Sequence, residues 1–318
     1  MKNEKYGYAI PWKLPDNKLT ESQKAVIAKC YTEKVEVVIP QKEEERVTTP
    51  FRVKDYAPLD NDAVAVMKHN ASILLTKLKE KDRVSYEHSV RVGEMVHRYW
   101  KEKGIDKPLL DELTVGAQLH DIGKLVTDEN VLKANRRLSD EEFRVMKQHV
   151  RSGYDLLGIM AKNNIICKEL TKSDVVKYTI LEHHESYAGG GYPDPKLKGE
   201  MLSDVGRVCA VFDEFDAIRN KRQYKEEYSL EQTLRFLKED RKLDQNLVKE
   251  AIPIMRSYDK ECHAHCYDAP KRVEELHLTY SKNLAFEEAK RMAILEAKLR
   301  AAHHEKSNRK EKTNDKHR

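Results

Sequence analysis

The sequence predicts an all-α protein. Strand signals are few, with Val35-Glu36-Val37-Val38-Ile39 the short candidate. From Asp60 onward, apolar residues recur at the spacing of a helix face. Beyond Gly206, the last glycine of the chain, only Pro253 and Pro270 act as strong breakers.

The elements follow in order. Residues 1–58 hold five of the ten prolines and the solvated charge run Lys42-Glu43-Glu44-Glu45-Arg46, and form an N-terminal extension. Val64, Met67, Ile73, Leu74, Leu75 and Leu78 mark a first helix face. A second helix carries His88, Val92, Met95 and Val96. A third begins at Asp111 and runs into His120-Asp121, which sit inside the helical pattern, with Lys124 one turn beyond His120. Ser139 and Glu142 have the spacing of a capping box, and their helix is expected to carry Phe143, Met146, His149 and Val150. Residues 173–185 give a helix that ends in His183-His184. Gly189-Gly190-Gly191 is a loop, since three successive glycines do not sustain a helix. Another helix carries Val205, Val208, Ala210, Val211, Phe212 and Asp213. Ala285–Ala302 reads as a long helix, and the polar end as a frayed basic tail. The expected organisation is an extension over 1–58, a helical domain over 59–256 and a helical C-terminal extension over 257–318.

Composition narrows the function. A net charge of +5, from 59 basic and 54 acidic side chains, does not point to a nucleic-acid polymer as partner. It suits a small anionic ligand if basic groups converge locally. The scattered cysteines Cys30, Cys167, Cys209, Cys262 and Cys266 do not form a disulfide framework, and no apolar run is long enough to span a bilayer. A charged start without an apolar stretch gives no signal peptide, so a cytoplasmic setting is expected.

The chemistry concentrates in a series of ligand-type residues: His88, His120, Asp121, His149, His183, His184 and Asp213. A lone His on a helix is more often a surface or hydrogen-bonded core residue than a ligand. Here each lies near the end of an apolar helical stretch, where it can be presented to a shared cleft. Imidazoles bind transition metals, and a carboxylate can bridge two ions. Two divalent ions so held can activate water and stabilise the oxygens of an in-line displacement at phosphorus. Five imidazoles against two carboxylates favour iron or manganese over magnesium or calcium, with zinc left open.

These residues sit in motifs similar to those of the HD-GYP family, the bacterial branch of the HD-domain phosphohydrolases. The matching text is His88-Ser89-Val90-Arg91-Val92, Leu119-His120-Asp121-Ile122-Gly123-Lys124, Leu138-Ser139-Asp140-Glu141-Glu142 with His149, His183-His184-Glu185, Gly191-Tyr192-Pro193, Lys198-Gly199-Glu200, Arg207, Asp213, Asp216-Ala217 and Arg222-Gln223-Tyr224-Lys225. The resemblance implies an HD-domain helical bundle with a metal centre and cyclic di-GMP phosphodiesterase activity, yielding linear pGpG, with GMP left open as a further product. It implies that His88, His120, Asp121, His149, His183, His184 and Asp213 ligate metal, with Asp121 as the bridge. Asp121 and Lys124 would carry the chemistry. Lys124, Gly191, Tyr192, Pro193, Arg222 and Lys225 would contact substrate.

The chain departs from the family pattern at defined places. Ala188, Gly190 and Gln223 stand where the family has Asp, Ser and Pro, which opens 3',3'-cyclic GMP-AMP as an alternative substrate. Val84 stands where some members have a glutamate that helps bind a third ion, so two ions are expected. A catalytically silent signalling module is the alternative of another class. At the ends, Cys262-His263-Ala264-His265-Cys266 is either a zinc site or buried cysteines with exposed histidines, and Ala285–Ala302 offers a helix for homodimer pairing.

Overall fold

A computed structural model describes residues 50–162, 168–220 and 228–264, with side chains to Cys262. The strand expected at 35–39, Arg222 and Lys225, the side chains of His263–Cys266 and the helix expected at 285–302 lie outside the described residues. Among the described residues the regular structure is helical, without a strand. The helices are α1 (Asn61–Lys81), α2 (Arg83–Glu102), α3 (Leu109–Gln118), α4 (Glu129–Leu132), α5 (Asp140–Lys147), α6 (His149–Lys162), α7 (Lys168–Lys172), α8 (Asp174–Glu182), α9 (Asp204–Arg219), α10 (Leu230–Glu239) and α11 (Gln245–Ala264). A 3-10 segment, Ile122–Val126, follows α3.

Side-chain caps set many of the helix starts. Asp60 accepts from Ala63 N–H, Asp82 from Ser85, Ser173 from Val176 and Ser203 from Gly206. The capping box at Ser139 forms as expected, and a second one joins Ser229 to Gln232. Each satisfies an otherwise orphaned N–H.

Helix α9 is the axis of the core. Val205, Val208, Val211, Phe212 and Phe215 are buried, and so are the intervening Gly206, Cys209, Ala210, Asp213 and Asp216. A helix covered on nearly all sides lies inside the bundle. It packs against α2, α8, α10 and α11. Asp213 and Asp216 are therefore held deep in the protein by apolar neighbours, including Val92, Met95, Val96 and Met255.

Residues 50–58 are built into this unit. Val53 joins the core, and its N–H donates to Asp204 at 3.0 Å. Arg52 donates to the carbonyls of Leu202 and Glu200, both at 2.7 Å. Glu112 on α3 is wholly buried and accepts from Tyr56 Oη (2.9 Å), Leu59 N–H (2.7 Å) and Ser173 Oγ (2.7 Å). One carboxylate thus ties the 56–59 segment to α3 and to the cap of α8. At the other end, α11 continues unbroken past residue 256.

Loss of the Glu112 carboxylate strands three donors in or near the core. Glu112→Ala should destabilise the protein by about 2–4 kcal/mol in urea unfolding, and Glu112→Gln by less. An unchanged midpoint would contradict the role given to this residue.

Candidate metal centre

His120 and Asp121 do not lie inside a helix. Helix α3 ends at Gln118, and the chain tightens there into bonds spanning three residues: His120 N–H to Ala117 (3.4 Å), Ile122 to Leu119 (3.0 Å) and Lys124 to Asp121 (3.0 Å). Successive side chains on an α-helix diverge by about 100°, so a continuing helix would separate the pair. In the 3-10 turn, residues three apart eclipse one another. Lys124 accordingly sits over Asp121, with Nζ 2.5 Å from Oδ2.

Two further expectations need the same correction. His149 does not ride on the helix of Phe143 and Met146 but opens α6. Gln148 N–H reaches back to Val145 at 3.1 Å, and the Met146 carbonyl is taken by the His149 ring, which interrupts the ladder. The helix before the histidine pair stops at Glu182, leaving His183 as its C-cap. In each case the ligand-type residue sits at a helix end, where the backbone can turn it inward.

Glycine sets the approach of these ends. A Cβ on Gly123 would lie 1.8 Å from the His149 carbonyl oxygen and 2.6 Å from Gly153 N. The His-Asp turn and the start of α6 therefore touch backbone to backbone at this point.

The turns gather two groups of ligand-type atoms, Asp121 with His149, His183 and His184, and His88 with His120 and Asp213, each within 4.8 Å. Asp121 stands between them. Its Oδ1 is 3.1 Å from His149 Nε2, and its Oδ2 is 3.4 Å from His120 Nε2 and 3.7 Å from His88 Nε2.

The outer ring nitrogens of three histidines are engaged by carbonyls. His120 Nδ1 donates to Ala117 O (2.7 Å), His149 Nδ1 to Met146 O (2.7 Å) and His183 Nδ1 to Ile180 O (2.9 Å). A carbonyl can only accept, so Nδ1 keeps the proton and the Nε2 lone pair points inward. His149 and His183 bring these nitrogens to 3.3 Å. Asp121 Oδ1 beside them is buried without a hydrogen-bond donor. Bare acceptors this close repel unless a cation lies among them. Separations of about 3 Å also suit neighbouring donors on one ion with bonds of about 2.1 Å. The residues fit a metal.

Charge supports the arrangement. Burial alone would raise the Asp121 carboxyl, but Lys124 and His120 hold it well below the usual carboxylate range. Burial keeps His183 neutral and lowers His184 to about 3. His88 behaves differently. Burial would lower it, but Asp213 (2.9 Å from Nε2) and Asp216 (2.8 Å from Nδ1) lift it to about 9. Asp216 is itself gripped by Arg91 through bonds of 2.7 and 2.8 Å, and is held at about 2 against the opposing effect of burial.

Asp216 and Arg91 belong to the matching motifs, but the sequence alone assigned them no role. Their signal was periodicity. Asp216 lies three residues after Asp213, and Arg91 three after His88, so each shares a helix face with a ligand-type residue.

The glycine loop reaches the same place. Gly189 (φ 89°) and Gly190 (φ 78°) adopt the left-handed conformation. A Cβ on Gly191 would lie 2.3 Å from Ser186 N, so only glycine lets the loop close on the histidine pair. Tyr192, which precedes Pro193, then stacks on His184 with centroids 4.8 Å apart and planes at 26°. Val84, one turn before His88, is 54% exposed and offers no ligand atom.

The state of His88 gives a test. Near neutral pH its imidazole is charged, so an ion that takes Nε2 must expel a proton. Mn2+ binding followed by calorimetry in buffers of different ionisation enthalpy should show about one proton released at this group. Affinity should rise with pH, about tenfold per unit, up to about 9. Heats that do not depend on the buffer would exclude the charged His88.

Comparison with known proteins agrees with this geometry. The chain is 31% identical over 182 residues to a cyclic di-GMP phosphodiesterase of Pseudomonas aeruginosa, covering 57% of this chain and 42% of the relative. It is 34% identical over 163 residues to a cyclic di-GMP phosphodiesterase of Thermotoga maritima, covering 51% and 42%. It is 29% identical over 159 residues to 3'3'-cGAMP-specific phosphodiesterase 2 of Vibrio cholerae, covering 50% and 29%. The chain spans less than half the length of each of these relatives. The HD domain family model matches residues 73–247, more than half of the chain and a span that contains both ligand groups, and the chain belongs to this family.

Proposed function

We propose that the protein is a metal-dependent phosphodiesterase that opens a cyclic dinucleotide, cyclic di-GMP first, to linear pGpG and then GMP. The observation that carries this reading is the convergence of His88, His120, Asp121, His149, His183, His184 and Asp213 in two adjoining groups around one carboxylate. Asp121, with one oxygen toward each group, would help to hold both of two ions. The imidazole-rich set supports iron or manganese, and the exposed Val84 supports two ions over three. Bound there, the ions supply a water of lowered pKa and neutralise charge on the phosphoryl oxygens.

The protein's own groups do the rest. The Nδ1 bonds of His120, His149 and His183 to carbonyls, and that of His88 to Asp216, hold these four imidazoles in one orientation, so they need no reorganisation during turnover. Lys124 places an ammonium beside Asp121, where it adds positive charge against a scissile phosphate. Tyr192, fixed on His184, places its ring beside the reacting centre as part of the cleft wall. Arg222 and Lys225 complete the expected phosphate contacts on sequence grounds.

A second substrate is favoured by one feature. The loop that carries Tyr192 has Ala188 and Gly190 where the family pattern has Asp and Ser. Loss of those polar side chains loosens recognition of a second guanine, and 3',3'-cyclic GMP-AMP is the alternative. A relative named for that substrate is among the matches.

The test is product analysis on metal-loaded protein with both cyclic dinucleotides. The double variant His120→Ala with Asp121→Ala should bind less metal and lose cleavage by at least about 10²–10³-fold. Full activity in that variant would sink the assignment.

A further inference from the structure

Beside the metal groups, α5 carries a side-chain cluster that the chemistry above leaves unused. Phe143 and Lys147 are one turn apart and share a helix face. Lys147 Nζ lies 4.8 Å from the Phe143 ring centroid and 5.2 Å from that of Tyr192. Tyr192 in turn stacks on His184. A continuous row therefore leads from a ligand-type histidine through Tyr192 and Lys147 to Phe143.

Two features of this row point to a ligand. Phe143 is 45% exposed, one of three large apolar side chains left open among the described residues. Lys147 has no carboxylate partner among the described residues, although acids are close in sequence. Glu141 is paired with Arg144, and Glu142 with Arg136. The ammonium is held by two ring faces, which fix its position without neutralising its charge.

We propose that Lys147 and Phe143 form a substrate subsite. Lys147 binds the phosphodiester of the cyclic dinucleotide that is not being cut, and Phe143 stacks on the adjoining base. A cyclic dinucleotide carries two phosphates in one ring. With one placed at Asp121, the other lies a nucleotide away and needs its own cation. An ammonium suits a phosphate as a point charge, and an open aromatic face suits any base. This inference rests on the phosphodiesterase reading and adds a determinant of ring recognition to it.

Steady-state kinetics on two probes tests it: cyclic di-GMP, and bis(p-nitrophenyl) phosphate, which has a single phosphate and no base. Lys147→Met keeps the aliphatic stem and removes the charge. It should raise KM for cyclic di-GMP on the order of tenfold, with kcat within about twofold, and leave the small probe unchanged. Lys147→Arg should restore most of the loss, and Phe143→Ala should shift KM in the same direction. An equal loss on both probes would mean that Lys147 only steadies Tyr192, and would overturn the subsite. Unaltered cyclic di-GMP kinetics in both Lys147→Met and Phe143→Ala would overturn the subsite alone. Wild-type protein that turns over the small probe but no cyclic dinucleotide would overturn the phosphodiesterase reading and the subsite with it.

Discussion

On one side of Asp121, His149 Nε2 faces His183 Nε2 at 3.3 Å and Asp121 Oδ1 at 3.1 Å, and the outer nitrogen of each ring holds the proton. Acceptors crowded together in a buried space form an unfavourable arrangement on their own. The surrounding structure exists to maintain it. Backbone carbonyls at the ends of α3, α5 and α8 fix three of the five imidazoles, and Asp216 fixes a fourth. The apolar packing around α9 keeps Asp213 and Asp216 from relaxing into solvent. A centre held this tightly would offer its ligands to a cation with the cost of ordering them already met by folding.

The scaffold explains why helix ends matter more than helix faces here. A face offers side chains at fixed angular steps, whereas a terminus allows the chain to turn and bring neighbours in sequence to one point. His120 with Asp121 after α3, His149 at the start of α6 and His183 with His184 after α8 all use termini. His88 and Asp213 come from within helices, and they belong to the group in which each helix need contribute only one side chain. Glu112 adds a link of another kind, since it joins the 56–59 segment to the two helices that lead into His120 and His183.

Much of this was legible in the sequence. The helices over 61–219 follow from apolar spacing and caps, and Ser139 with Glu142 formed the box that their spacing predicts. The ligand-type residues were legible as a series and converge as expected. Local geometry was less legible. His120-Asp121 and His149 look helical in sequence because their neighbours are good helix formers, and only tertiary contact through Gly123 requires the break. Asp216 and Arg91 were hidden for a different reason. A single acid or base in a helix looks like a solvated charge until the partner across the core is known. Lys147 and Phe143 were legible only as part of an amphipathic helix, because their meaning depends on where the glycine loop places Tyr192.

The contact at Gly123 has a wider consequence. Two halves of the centre, the turn that carries His120 and Asp121 and the helix that His149 opens, meet main chain to main chain at this glycine. The gap between the halves is thus metered by peptide geometry, which is the same whatever residues surround it. The same contact leaves no room for a side chain at the glycine itself, so the spacing of two ligand-bearing segments depends on a residue that has none.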